Sequence, residues 1–157
     1  LNFSLFQKII VRHHPADKKY SDFFYSKYKS INSNIIIDNG DKKIEKYLDD
    51  QTLVIFSYLS SGFFELFSRN FNCLSFDCLD KEHYQLNFHK ELNKLKKNKI
   101  FFENGISASK HINNLLKKKH NIDFNNKNFS KNNSSFIRKY ANFDKVNLEQ
   151  IDKILNR

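Results

Sequence analysis

Cysteine is scarce, tryptophan and methionine are absent, and proline occurs once, at Pro15, in a chain of 157 residues. The two cysteines, Cys73 and Cys78, are five apart without a partner set, which supplies neither a zinc site nor a disulfide framework. They fit a reduced, cytoplasmic setting. No stretch approaches the roughly 18 apolar residues that span a bilayer, and no charged-then-apolar leader marks secretion. Asp-x-Asp pairs and His/Asp clusters at ligand spacing are missing, so no metal is expected. There is no internal repeat and no RNA-binding or helix-turn-helix signature. The chain begins at Leu1 rather than Met, and reads as a piece of something longer.

What is present is basic charge, unevenly placed. The formal net charge is +10. Residues 96–139 hold eleven Lys or Arg against Glu103 and Asp123, and the remainder is almost neutral. Such a block suits anionic partners: phosphates, nucleic acid or an acidic membrane face. Asn occurs 21 times, however, and Lys, Asn, Phe and Ile dominate throughout. An AT-rich genome writes that mixture, and a solvated face without a specific nucleic-acid partner is the plainer reading.

Periodicity predicts alternating strands and helices. Strands are expected at 8–11 (Lys-Ile-Ile-Val), 34–38, 53–56, 72–77 and 99–102. The third, Leu53 to Phe56, is a continuous apolar run and reads as buried on both faces. Helices are expected at 17–29, from a cap at Asp41 through about 48, after the turn at 57–62, at 82–97 with Leu86, Leu92 and Leu95 on one side, and at 107–118. Asn39-Gly40 and Asn104-Gly105 mark turns. Residues 120–135, rich in Asn, Lys and Ser, read as a loop, and 136–140 and 148–155 as closing helices. The alternation predicts right-handed βαβ units and a three-layer α/β/α domain around a parallel sheet of about five strands. Ligands of such folds sit at the strand carboxyl ends. Arg12, His14, Asp38, Ser60, Ser61 and Asp77 are expected to converge there.

Two turns carry the chemistry. In Ser57-Tyr58-Leu59-Ser60-Ser61-Gly62, Ser60 or Ser61 can cap the following helix. Its free amides and dipole then favour an anion such as phosphate. Glu65, about one turn further in, suits hydroxyls beside that anion. In Arg12-His13-His14-Pro15, Arg offers a fixed fork of donors to phosphate, and His a further donor.

The set Val11-Arg12-His13-His14-Pro15, then Ser57 to Glu65, then Cys73-Leu74-Ser75-Phe76-Asp77 leading to His83-Tyr84, resembles the carboxyl half of a GT-B-type transferase. It is nearest to bacterial surface-carbohydrate transferases, with Asp77 and Tyr84 where that pattern carries Trp. The resemblance implies a Rossmann-like nucleotide-sugar-binding domain over 1–142 and a closing helix at 143–157. An amino-terminal acceptor domain would lie outside this chain. It further implies Arg12 and His14 as the catalytic pair on the donor phosphates. Ser60, Ser61 and the Gly62 amide would hold the same phosphates, in a donor-binding set that includes Ser57. Glu65 would bind the ribose, and the Asp38 loop would lie near the base. The implied partners are a nucleotide sugar as donor and a carbohydrate or lipid-linked acceptor, with peripheral contact at the inner membrane face. The alternatives are a non-catalytic α/β domain for a phosphorylated small molecule, and a basic nucleic-acid-binding module using Phe124, Phe129 and Phe136.

Overall fold

Runs of β-branched residues set the first two strands, β1 (Ile9–Arg12) and β2 (Ile35–Asp38), which pair in parallel with Arg12 opposite Asp38. The computed structural model describes residues 1–2, 6, 8–12, 21–49, 51–77, 84 and 86–117. Between the two strands runs α1 (Ser21–Ile31), with Asp22 in its first turn and Lys29 in its last, matching the helix dipole. Phe24 and Tyr28, four apart on its half-buried side, stack at 6.3 Å, while Phe23 and Tyr25 face solvent.

A second parallel group follows: β3 (Leu53–Phe56), β4 (Asn72–Phe76) and β5 (Phe101–Phe102), in the order β3-β4-β5. α2 (Ser61–Ser68) and α3 (His89–Lys97) cover one face, and α4 (Gly105–Lys117) the other. The first core joins Phe63, Leu66 and Phe67 of α2 and Leu92 and Leu95 of α3 to Cys73, Ile100 and Phe101. The second joins Ala108 and Ile112 of α4 to Leu74 and Phe102. Successive strand residues point to opposite faces, so Cys73 and Leu74, and likewise Phe101 and Phe102, serve different cores.

The expected α/β layering and parallel direction are observed, but the five strands do not form one ladder. They hydrogen-bond as separate groups of two and three. The groups meet through side chains instead. Phe6, ahead of β1, packs into the second core beside Leu53, and Ile44 and Leu48, after β2, pack against the first. Lys8 lies 5.7 Å over the Tyr47 ring, and Tyr47 is bonded through its carbonyl to the Thr52 hydroxyl just before β3. The residue ahead of β1 thus lies near the connection that leads into β3.

Other expectations need correction. β3 is not buried on both faces: it borders its group, and Ile55 is 36% exposed. The buried strand is β4, flanked by β3 and β5 and covered on both sides. Asp41 does not cap a helix through 48. Only a 3₁₀ turn forms, at Ile44–Tyr47, and its cap residue is Lys43, with no side-chain bond. The helix expected from 82 begins at His89, after a 3₁₀ turn at Leu86–Phe88. Leu86 is thereby out of phase with Leu92 and Leu95 and faces water. The basic stretch beyond 117, the closing helices and the boundary at 142 lie outside the described residues. No helix among the described residues is long and apolar enough to cross a membrane.

Candidate functional site

Arg12 ends β1 and meets Asp38, which ends β2, because the parallel register pairs them. Arg12 Nε lies 3.4 Å from Asp38 Oδ2, and Arg12 Nη2 donates to the Lys42 carbonyl. Asp38 is 8% exposed, and its Oδ1 accepts the Gly40 N–H at 3.1 Å. Gly40 holds φ +81°, a conformation glycine adopts without penalty, and the Arg12 guanidinium lies 3.6 Å from where a Cβ would stand. Asp38 Oδ2 is buried and has no hydrogen-bond partner, so its compensation is the charge of Arg12. An isolated buried carboxylate is costly, and the pair therefore fixes Arg12 at the edge where the strands end.

The second element is the start of α2. Ser60 is the cap, with extended backbone, and its Oγ accepts the Phe63 N–H at 3.2 Å. The Ser60 carbonyl takes the Phe64 N–H. That leaves the Ser61 and Gly62 amides of the first turn without an acceptor among the described residues, the arrangement that favours an anion. The Ser61 side chain is exposed and plays no part in the cap. Ser57 is likewise exposed, on the bend leaving β3. The Ser75 hydroxyl, fully buried, donates to the Phe56 carbonyl at 3.3 Å and ties the end of β3 to β4.

Asp77 follows β4 and is 5% exposed. It accepts the Tyr84 hydroxyl at 2.6 Å. Burial and that carboxylate together push the Tyr84 phenol above its ordinary range. Tyr84 stacks on Phe88 at 5.9 Å and meets the Phe101 ring edge-on, so this pair anchors the connection from β4 to α3.

Glu65 sits apart from the helix start. Its carboxylate is 3.7 Å from Arg69 Nη1, at the carboxyl end of α2, and the same nitrogen is 3.0 Å from Glu45 Oε1. A backbone bond, and then Arg69, hold the Glu45 carboxyl below its usual range. Arg69 had no place in the sequence reading. The i,i+4 spacing from Glu65 is the signal that could have found it. His14, with His13 and Pro15, lies outside the described residues. The structure thus brings Arg12 to Asp38, and Ser60 to Gly62. No described contact joins these two sets, although both lie at strand carboxyl ends. Among the described residues no group of His, Cys, Asp or Glu is placed to hold a metal.

Parallel strands with helical layers, an arginine at the end of β1 and, after β3, a capped helix start whose first two amides have no acceptor among the described residues define an α/β domain of the kind that takes ligands at strand carboxyl ends. A family model described as the LIC12162 family transferase matches residues 1–148, and the chain belongs to that transferase family. No curated protein and no solved structure matches it.

Proposed function

We propose that this chain is the donor-binding domain of a glycosyltransferase-like enzyme of bacterial surface-carbohydrate synthesis, the Rossmann-like half of a GT-B pair. The donor is a nucleotide-activated sugar, and the acceptor a carbohydrate or lipid-linked carbohydrate brought by a further, amino-terminal domain. Arg12 and His14 bind the donor phosphates together with the Ser61 and Gly62 amides, and stabilise the leaving phosphate as the sugar departs. Ser57 lines the approach. The reaction would run in the cytoplasm without a metal. The observation that carries this reading is the pair of unaccepted amides at the start of α2, which follows β3 as the Arg12 loop follows β1.

Ser61→Pro tests it. Proline is tolerated at the first helical position, where it removes one N–H and presets the backbone. Ser60, with φ −95° and ψ 167°, already holds the extended form that a following proline requires. The variant is expected to melt as the parent does. Its affinity for CMP-, UDP-, GDP- or CDP-linked compounds should fall about tenfold or more in calorimetry, the loss of one charge-assisted hydrogen bond. Unchanged binding of all of them by folded Ser61→Pro would overturn the proposal.

The pairing of Glu65 with Arg69 favours a second reading, a domain that binds a smaller phosphorylated molecule and makes no ribose contact. Glu65→Gln separates the two. A ribose role predicts weaker nucleotide binding with pyrophosphate unaffected, whereas the smaller ligand predicts no change in either.

A further inference from the structure

Three exposed apolar side chains of the β3–β4–β5 layer gather where those strands end. Tyr58 follows β3, Leu86 lies between β4 and α3, and Ile106 is in the first turn of α4, after β5. They are 45%, 85% and 69% exposed. Because the strands are parallel, all three connections open at one edge. Leu86 is held there by its neighbours, since Tyr84 bonds to Asp77 and Phe88 stacks on Tyr84. Leu86 belongs to the α3 side of the sheet and Ile106 to the α4 side. An exposed lysine follows each by four residues: Lys90 after Leu86, and Lys110 after Ile106. Among the described residues, the nearby acids are engaged, with Glu91 2.9 Å from Lys94, Glu103 2.5 Å from Lys96, and Asp77 buried.

We propose that this edge docks on an anionic lipid surface. Tyr58, Leu86 and Ile106 enter the boundary between headgroups and acyl chains, where an amphipathic tyrosine is at home. Lys90 and Lys110 stay among the headgroups and are attracted by their charge. The tips stand on both sides of the sheet and form no continuous patch. A planar, deformable surface meets all of them, whereas a rigid protein partner would have to straddle the edge. The net charge of +10 acts in the same direction. The inference rests on these exposed side chains and stands whether or not the donor reading does. If both hold, an acceptor carried on a lipid is presented at the donor edge.

The test uses the full chain. Because it contains no tryptophan, Leu86→Trp gives a single reporter at the proposed insertion point. Vesicles of phosphatidylglycerol and phosphatidylcholine are expected to shift its emission to the blue. Pure phosphatidylcholine should not, and the shift should vanish near about 1 M salt, where screening acts within about 3 Å. The double variant Leu86→Ser with Ile106→Ser, its fold checked by circular dichroism, should co-sediment with the anionic vesicles about tenfold less well, as expected for lost interfacial apolar area. Unshifted emission with anionic vesicles, or parent-like sedimentation of the double variant, would overturn the proposal. So would a dimer of the parent that the double variant abolishes without any vesicle binding, since a second copy would then be the occupant. Nucleotide calorimetry on the same double variant should match the parent, which separates failure of this docking from failure of the donor site.

Discussion

Lys99 holds a left-handed backbone, φ +60°, at the position that ends α3. Its N–H bonds to the Lys96 carbonyl and the Ile100 N–H to the Leu95 carbonyl, the pattern of a helix that stops by turning left-handed. Asn70, φ +62°, does the same for α2, with Phe71 bonded to Leu66. A residue with a Cβ is strained there by about 1–2 kcal/mol, and asparagine less so. Lys99→Gly is therefore expected to raise stability by about 1 kcal/mol in urea unfolding, and Asn70→Gly by clearly less. Cys73 gives a pH test. Burial raises its thiol from 9.0 to about 12. Below 9.0 the thiol is protonated in both the folded and unfolded chains, and it contributes no pH dependence. Above 9.0 the unfolded thiol ionises and the folded one does not, so stability should fall as pH rises from about 9 towards 12. Urea midpoints at pH 8 and pH 10 check the sign, and a Cys73→Ala variant should show a shallower fall. At this scale the sequence was legible where chemistry is local. The Ser60 cap needs only a hydroxyl beside free amides, and the meeting of Arg12 and Asp38 follows from two strand ends, although their ion pair was not foreseen. The direction of Glu65 was not legible, because it depends on Arg69 and on Glu45, which another element supplies.

Two of the helices, α2 and α4, are started by a side chain. Ser60 caps α2, and Asn104 caps α4 with Oδ1 accepting the Ser107 N–H at 2.8 Å. Ser60→Ala and Asn104→Ala should each cost about 0.5–2 kcal/mol in thermal or urea unfolding. Ser61→Ala, which the sequence also allowed as a cap, should cost almost nothing. A loss at Ser61 equal to that at Ser60 would show that the cap is shared. Long periodic segments were readable as elements: α3 and α4 lie within two residues of their expected ends at the carboxyl side. Their starts were not, because α3 opens through a 3₁₀ turn and Asn104 begins α4 earlier than Ser107 suggests. The 3₁₀ turn at Ile44–Tyr47 replaced a full helix for a related reason: no side chain caps it.

For the whole molecule, alternation of apolar runs gave the layers and the parallel direction, since parallel strands need helical crossovers. It could not give ladder continuity between β1 and β3, which depends on how Phe6, Ile44 and Leu48 pack after the layers meet. Nor could it reveal that β3 is the partly open strand and β4 the covered one. The position of β4 has a consequence for motion. Its residues alternate between the two cores, with Cys73 in one and Leu74 in the other. Neither helical layer can lift away without stripping one side of the same strand. The two halves of the core cannot breathe separately, and the amides of Asn72–Phe76 should trade their protons for deuterium only when the entire layer opens. The α1 segment, with Phe23 and Tyr25 already in water, should trade its own far sooner, by fraying that leaves β4 untouched.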